Sequence, residues 1–287
     1  MGHEAAGVIA KIGEGVKGWK AGDRVTFDST IFCGECQFCR AGQLNLCDNR
    51  RVLGVSCGDY RQDGAFAEFV AVPQHILYRL PEGISFESAT MVEALSIAVH
   101  AAGRGQPRLN ETAVVVGAGM IGLLVVQALR RAGCGRVIAV DLDKEKLAMA
   151  CTLGADAGID SSSGNAEDEI LKATGGRGAD LAYEVVGIEP TVNLAMKSLR
   201  KGGRLVLVGN LSASIAFPLQ ALVTREISVL GSCASCGEYP AALDLIARGE
   251  IKVGPLISAT APLKDGGEWF KRLYGKEKGL MKVILKP

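Results

Sequence analysis

Apolar and polar positions alternate along two stretches near the start of the chain, residues 5–28 and residues 65–72. Glycines interrupt the first stretch, and Asp63-Gly64 precedes the second. A period of two residues bounded by turn-forming residues is typical of half-buried β-strands. We therefore predict that the first third of the chain is mainly β-structure.

From residue 112 onward, short apolar runs alternate with segments of helical periodicity. The predicted strands are 113–116, 136–140, 179–185, 204–208 and 227–230, and the predicted helices lie near 120–132, 143–153, 165–174, 190–200 and 239–248. Strands that alternate with helices form right-handed crossovers, and hence a parallel sheet with helices on both faces. The fold class predicted is α/β, a doubly wound parallel sheet. After about residue 250 the alternation of strands and helices ends. The strand-like run 281–285 predicts that the C-terminal tail returns to the first domain.

The run 112–129 holds 18 uncharged residues, which is long enough to consider a membrane span. Its glycines favour a different interpretation, because Gly117, Gly119 and Gly122 form G-x-G-x-x-G between a predicted strand and a predicted helix. Asp141 ends the next predicted strand, 19 residues after Gly122. Together these features are the dinucleotide-binding fingerprint, in which the pyrophosphate lies at the positive end of the helix. The alternative is a glycine-rich turn with a solvated aspartate.

The carboxylate of Asp141 has a predicted role in choosing the cofactor. It can accept hydrogen bonds from an adenosine ribose, and its charge would repel a 2′-phosphate. The sequence therefore predicts NAD in preference to NADP.

Four of the nine cysteines crowd into 15 residues, with the spacing C-x2-C-x2-C-x7-C. They are Cys33, Cys36, Cys39 and Cys47. Four thiolates so close together can bind Zn²⁺ tetrahedrally and leave no position open for substrate, which predicts a structural zinc. An iron–sulfur cluster and a set of unpaired buried thiols are the competing interpretations.

Charge and composition exclude several classes of protein. Lys and Arg number 32 against 31 Asp and Glu, so no general attraction to nucleic acid or anionic lipid is expected. A nucleic-acid-binding zinc module would need a basic face on the cysteine segment, where acidic residues instead interrupt the basic ones (Glu35, Asp48 and Asp59 among Arg40, Arg50 and Arg51). The first residues show no secretory signal, and we expect a cytoplasmic protein.

His3, Glu4 and Glu93 are weaker signals when each is considered alone. A His beside a Glu is usually a surface pair. Glu93, however, interrupts the apolar stretch 90–102. A carboxylate in such a setting takes up a proton or finds partners, and a metal ion is one such partner.

Several motifs together resemble the zinc-dependent medium-chain dehydrogenases, and specifically their polyol (sorbitol-like) branch. The motifs are Gly2-His3-Glu4-Ala5-Ala6-Gly7-Val8, Gly22-Asp23-Arg24-Val25, the four-cysteine segment, Gly64-Ala65-Phe66-Ala67-Glu68, Glu93-Ala94-Leu95-Ser96, and Gly117 to Gly122 with Asp141. The resemblance covers the whole chain. It implies an oxidoreductase that transfers hydride from a secondary alcohol, such as a polyol or polyol phosphate, to NAD.

The family resemblance also implies domains and site residues. A GroES-like β domain, residues 1–95 and 251–287, would be joined to a Rossmann NAD-binding domain, residues 96–250, with the active site between them. His3 would bind a catalytic zinc, with Glu4 in or near the coordination shell and Glu93 as a further ligand, direct or through water. Other residues match positions that line the NAD site (Gly117, Gly119, Ile121, Gly122, Asp141, Lys146, Val208 and Gly209).

The sequence departs from the family in one respect. Family members carry a further segment before Gly-His-Glu, with a zinc-binding Cys and a hydroxyl residue that relays the alcohol proton, so we expect Met1 to be an internal methionine and the GroES-like domain to be incomplete at its N-terminus. Cys57 is an alternative source of the thiolate. A second function therefore stays open, a catalytically impaired NAD-binding remnant with only the structural zinc. The family also suggests a homo-oligomer, a dimer or tetramer, with the edge strand 227–230 as a contact.

Overall fold

A computed structural model describes residues 1–55 and 61–287, so the alternative ligand Cys57, like Asp59, lies outside the described residues. The chain divides into two compact units. Unit one contains residues 1–96 and 235–287, and unit two contains residues 97–234. The second boundary predicted from the sequence lay instead after residue 250.

Short strands and helices build the first part of unit one. They are β1 (Ala6–Val8), β2 (Arg24–Phe27), β3 (Thr30–Ile31), α1 (Gln37–Arg40), β4 (Arg51–Leu53), β5 (Arg61–Gln62), β6 (Leu77–Arg79), α2 (Phe86–Thr90) and the start of α3 (Val92–Gly105). Strand β2 pairs antiparallel with β1 and with β6, and β4 pairs with β3 and β5. Phe27, Ile31, Leu53 and Ile76 form a small apolar core between these strands.

Unit two is the predicted doubly wound sheet. Its elements are β7 (Thr112–Val116), α4 (Met120–Arg131), β8 (Arg136–Asp141), α5 (Lys144–Thr152), β9 (Ala157–Asp160), α6 (Ala166–Ala173), β10 (Ala179–Glu184), α7 (Glu189–Lys197), β11 (Leu199–Leu207), α8 (Leu219–Thr224) and β12 (Ser228–Gly231). Within residues 97–234, all of which are described, six parallel strands lie in the order β12-β11-β10-β7-β8-β9. The predicted α/β class is confirmed, and the sequence order reverses between β7 and β10.

The tail of the chain belongs to unit one. It contains α9 (Tyr239–Ala247), β13 (Ile257–Pro262), α10 (Gly266–Tyr274) and β14 (Lys282–Lys286), and β13 pairs in parallel with β14. Helix α9 groups with unit one because Tyr239 is buried and stacks on Tyr78, with ring centroids 4.9 Å apart. Two lysines of β14 form ion pairs with the first part of the unit, Lys282 with Glu4 and Lys286 with Glu87.

Several predictions of secondary structure were wrong or incomplete. Residues 65–72 form no strand. Within the described chain, the backbone hydrogen bonds that their amides donate to another segment are those of Ala65 and Phe66, to the carbonyl oxygens of Gly2 and Met1. The predicted helix 190–200 ends at Lys197, because strand β11 begins two residues later at the buried Leu199. Strands β9 and β13 and helices α1, α2, α3, α8 and α10 were not predicted.

The uncharged run 112–129 forms β7, a turn and most of α4, and not a membrane span. None of the helices in residues 1–55 and 61–287 has both the length and the apolar character needed to cross a bilayer.

Candidate active site

The four predicted zinc-binding cysteines converge in unit one. Their sulfur atoms all lie within 4.8 Å of one another, and the sulfurs of Cys33 and Cys39 are 4.0 Å apart. Helix α1 produces this arrangement, because Cys36 is its N-cap residue and Cys39 lies within it. Ligands 2.3 Å from a tetrahedral zinc are about 3.8 Å apart. The set therefore fits a single tetrahedral ion better than it fits a cluster of several irons.

Backbone amides also prepare these sulfurs to be thiolates. The N–H of Cys36 donates to the sulfur of Cys33 (3.4 Å), and the N–H of Cys39 donates to that of Cys36 (3.4 Å). The amides of Glu35 and Cys36 lower the pKa of Cys33 to about 6, whereas burial raises that of Cys39 to about 12. Four thiolates this close repel one another, so full ionisation needs a cation among them. The donor set fits Zn²⁺.

A second cluster contains His3, Glu4 and Glu93. Their ligand atoms also lie within 4.8 Å of one another, and Nε2 of His3 is 4.0 Å from Oε1 of Glu93. His3 precedes β1, while Glu93 lies in the first turn of α3 with its side chain only 11% exposed. One imidazole and two carboxylates are suitable zinc ligands, and three protein ligands leave a fourth position open.

Close backbone contacts between glycines position His3. A Cβ on Gly54 would lie 1.9 Å from the carbonyl oxygen of Gly2, and one on Gly64 would lie 2.5 Å from the same atom. The amide of Ala65 donates to that carbonyl at 2.8 Å. Any larger residue at Gly54 or Gly64 would therefore displace the segment before His3.

Burial and like charge control the ionisation of this second cluster. Burial, reinforced by the charge of Glu4, raises the pKa of Glu93 to about 8. Burial also lowers the pKa of His3, which favours the neutral imidazole that binds metals. Lys282 forms an ion pair with Glu4. Once Glu93 ionises, the two carboxylates have more negative charge than Lys282 offsets, as expected of a site for a divalent ion.

Sequence reasoning missed two residues near this cluster. Lys282 lies 278 positions from its partner Glu4, and its place in a predicted strand gave no signal of that contact. Tyr239 is fully buried, and its hydroxyl has no hydrogen-bond partner within residues 1–55 and 61–287. Burial, and after it the charge of Glu93, raise the pKa of Tyr239. A groove of about 1570 Å³ opens beside the cluster, with Phe66, Phe86 and Phe270 in its walls.

The glycine motif in unit two has the geometry that its spacing predicted. Gly117 takes a left-handed conformation (φ +102°) at the end of β7, and a Cβ on Gly122 would lie 1.8 Å from the carbonyl oxygen of Gly117. Gly119 is the N-cap of α4, and nothing lies within 4 Å of the position of its missing Cβ. This open cradle at a helix N-terminus fits the pyrophosphate of a dinucleotide.

The other predicted cofactor residues lie along the same end of the sheet. Asp141 ends β8, and its carboxylate accepts hydrogen bonds from the amides of Ala118 (2.6 Å) and Asp143 (3.0 Å). Each oxygen keeps a lone pair for a ribose hydroxyl. The remaining residues are Ile121 on α4, Lys146 on α5, and Val208 and Gly209 just after β11.

Family models match both parts of the chain. Residues 1–82 match the alcohol dehydrogenase GroES-like domain, and residues 121–248 match the zinc-binding dehydrogenase domain. A curated relative, a protein named probable D-xylulose reductase A from Emericella nidulans, is 34% identical over 292 residues, which cover 100% of this chain and 80% of the relative.

Solved structures of similar chains contain nicotinamide cofactors. An alcohol dehydrogenase from Escherichia coli CFT073, solved with NADH, is 31% identical with a TM-score of 0.91, over 99% of this chain and 83% of that one. A zinc-binding dehydrogenase from Sinorhizobium meliloti 1021, solved with NADP, is 29% identical with a TM-score of 0.90, over 99% and 82%. The expected resemblance is confirmed: the chain belongs to the zinc-dependent medium-chain dehydrogenases, in their polyol branch, a family that uses zinc and a nicotinamide cofactor.

Proposed function

We propose that this protein oxidises a secondary alcohol of a polyol, a polyol phosphate or a similar compound, with NAD as the hydride acceptor. The observation that carries the proposal is the convergence of His3, Glu4 and Glu93 in a chain that also holds an open glycine cradle. The first feature offers a metal site with an open position, and the second offers a dinucleotide site. Membership of the family supports their joint use.

The residues of the second cluster have distinct roles in this proposal. His3 and Glu93 hold the catalytic zinc, and Glu4 lies in or near its coordination shell, where Lys282 restrains it. When bound, zinc lowers the pKa of a substrate hydroxyl and the nicotinamide ring accepts a hydride from the adjoining carbon. The Glu93 side chain is mostly buried, and a less polar environment strengthens the attraction of its carboxylate for a cation.

The four-cysteine segment has a structural role in the proposal. Cys33, Cys36, Cys39 and Cys47 fill every position of a tetrahedral ion, so no substrate atom can reach it. The ion orders a segment with little regular structure of its own, in which α1 spans only Gln37–Arg40.

NAD is the proposed cofactor, in preference to NADP. The support comes from Asp141, whose carboxylate is fixed beside the glycine loop by the amide of Ala118. A 2′-phosphate bound at the adenosine ribose would lie against this charge. We also propose that the protein assembles as a homo-oligomer, since β12 lies at the edge of its sheet.

A steady-state assay with Zn²⁺ and NAD across sugar alcohols and their phosphates tests the activity. We expect turnover of at least one secondary alcohol, two zinc ions per chain, and loss of most of the rate in His3→Ala and Glu93→Ala. Cys151 is exposed on α5, so Cys151→Ser serves as a control whose rate and zinc content should not change. NAD binding with one zinc and no turnover would instead support the impaired remnant.

A further inference from the structure

Three backbone loops meet at the carboxyl end of the sheet in unit two. A Cβ on Gly117, in the loop after β7, would lie 2.7 Å from Cγ2 of Val186, in the loop after β10. A Cβ on Gly187 in that second loop would lie 2.2 Å from the amide nitrogen of Asn210, in the loop after β11. The loop after β10 therefore packs against both of the others.

The carboxylate of Glu184 holds the middle loop. Glu184 ends β10 and is fully buried. Its Oε1 accepts hydrogen bonds from the amides of Val186 (2.9 Å) and Gly187 (2.8 Å) and from the hydroxyl of Thr191 (2.7 Å). Its Oε2 accepts a further bond from Gly187 at 3.0 Å. Burying a carboxylate is costly, and the three donors to Oε1 offset that cost.

The backbone of the same residue holds the third loop. The carbonyl oxygen of Glu184 accepts hydrogen bonds from the amides of Val208 (2.9 Å) and Gly209 (3.1 Å). Glu184 thus binds the loops after β10 and β11 at once, through its side chain and through its backbone.

These two loops lie where a ligand of this sheet is expected. Ligands of doubly wound sheets bind at the carboxyl ends of the strands, at the point where strand order reverses. That point lies between β7 and β10. The glycine cradle after β7 and Asp141 at the end of β8 lie on one side of this point. The cradle suits the pyrophosphate, and Asp141 suits the adenosine ribose. The loops after β10 and β11 remain for the other half of the dinucleotide.

We infer that Glu184 is a positioning residue for the nicotinamide half of the cofactor, acting through the loops after β10 and β11. This inference rests on the proposed function, because it assumes that a nicotinamide dinucleotide binds unit two. No covalent step is involved. The carboxylate fixes the backbone surface against which the nicotinamide nucleotide packs, while the cradle for the ADP half depends on other residues.

The test compares the binding of NADH with the binding of ADP, which lacks the nicotinamide nucleotide. Glu184→Gln removes the charge that strengthens these hydrogen bonds and places an amide donor against the N–H of Gly187, at nearly unchanged side-chain volume. We expect the Kd for NADH to rise about tenfold, which corresponds to the loss of roughly one charge-assisted hydrogen bond, and the Kd for ADP to change by less than about twofold. NADH fluorescence and calorimetry measure the two constants without any need for turnover or zinc.

Two further variants keep the test decisive. Thr191→Val removes one donor and leaves the carboxylate in place, so it should shift NADH binding in the same direction by a smaller factor, and it decides the outcome if Glu184→Gln does not fold. Asp180→Asn is the matched control, because Asp180 is a carboxylate near the opposite end of the same strand that accepts from Thr112 (2.9 Å) and pairs with Arg200 (2.6 Å). The Asp180→Asn variant should lower stability without changing the ratio of the Kd values for NADH and ADP.

The outcomes separate this inference from the proposed function. Equal losses of NADH and ADP affinity in the Glu184 or Thr191 variants, or no loss in either, would overturn the positioning role. If the unmodified chain binds neither NADH nor ADP, the proposed use of the dinucleotide fails first.

Discussion

Glu93 is a carboxyl group that the fold keeps protonated when no cation is near, and this gives stability a predictable dependence on pH. Burial raises the pKa of Glu93 to about 8, against an ordinary value of 4.5. Because the folded pKa is the higher one, the contribution of this group is complete below pH 4.5 and is lost as pH rises through about 8.

Raising the pH from 6.5 to 8 should therefore lower the melting temperature of the metal-stripped protein by a few degrees relative to that of a metal-stripped Glu93→Gln variant. The comparison with Glu93→Gln isolates Glu93, because Cys33, whose pKa backbone amides lower to about 6, changes the stability of both proteins in the same way over this window. Calorimetric melting temperatures of both proteins at the two pH values measure this difference. An equal slope in both proteins would contradict the prediction.

Cys36 combines two roles in its segment, since its sulfur accepts a hydrogen bond from Cys39 and belongs to the proposed zinc shell. In Cys36→Ser a harder, less acidic ligand leaves the shell incomplete, so the metal no longer contributes its binding energy to folding. We expect one zinc fewer per chain by elemental analysis and a melting temperature lower by several degrees, with Cys151→Ser unchanged. Unaltered zinc content and melting temperature would show that the cysteines bind no metal.

Asp141 should determine which cofactor is bound. In Asp141→Ala we expect about tenfold weaker NADH binding and a smaller difference between NADH and NADPH, because the ribose acceptor and the repulsive charge are removed together. Asp160→Ala is a suitable control, since Asp160 ends the neighbouring strand β9 in register with Asp141 and accepts from the amide of Ser162. Tighter binding of NADPH than of NADH by the unmodified protein, measured by calorimetry, would refute the assignment.

At the scale of elements, the position of His3 depends on Gly54, the residue that follows β4. In Gly54→Ala the new methyl group would lie 1.9 Å from the carbonyl oxygen of Gly2, in a left-handed conformation (φ +75°). We expect loss of the zinc bound through His3 and retention of the zinc at the cysteines. Gly83→Ala shares the positive φ (+81°) but has open space around it, so its zinc content should not change. Two zinc ions per chain in Gly54→Ala would refute this role.

The elements differ in how well the sequence predicted them. Strand β7 and helix α4 were predicted closely, because a buried parallel strand and a long helix each repeat their own period over many residues. Residues 65–72 alternate as a strand does, but a strand also needs a partner along its whole length, and a pattern within one segment does not supply it. Helix α8 is only six residues long, too short for a period to show.

At the scale of the whole molecule, the two ligands should act on different units. Removal of zinc by a chelator should increase hydrogen exchange most strongly around residues 33–54 of unit one, because the metal orders that segment. NADH should reduce exchange most strongly at residues 117–122 and 184–210 of unit two. Peptide-resolved mass spectrometry measures both effects. Chelator effects spread evenly over the chain would argue against a local structural zinc.

The sequence by itself determined the features whose parts lie close together along the chain. The four cysteines span 15 residues, and the glycine cradle joins a strand to the helix that follows it, so spacing alone was enough to predict their chemistry. Only the tertiary structure brought His3 to Glu93, Lys282 to Glu4, and the loop held by Glu184 to its neighbours. Those contacts depend on how strands and helices pack across long separations, and such packing leaves no periodic signal in the segments that it joins.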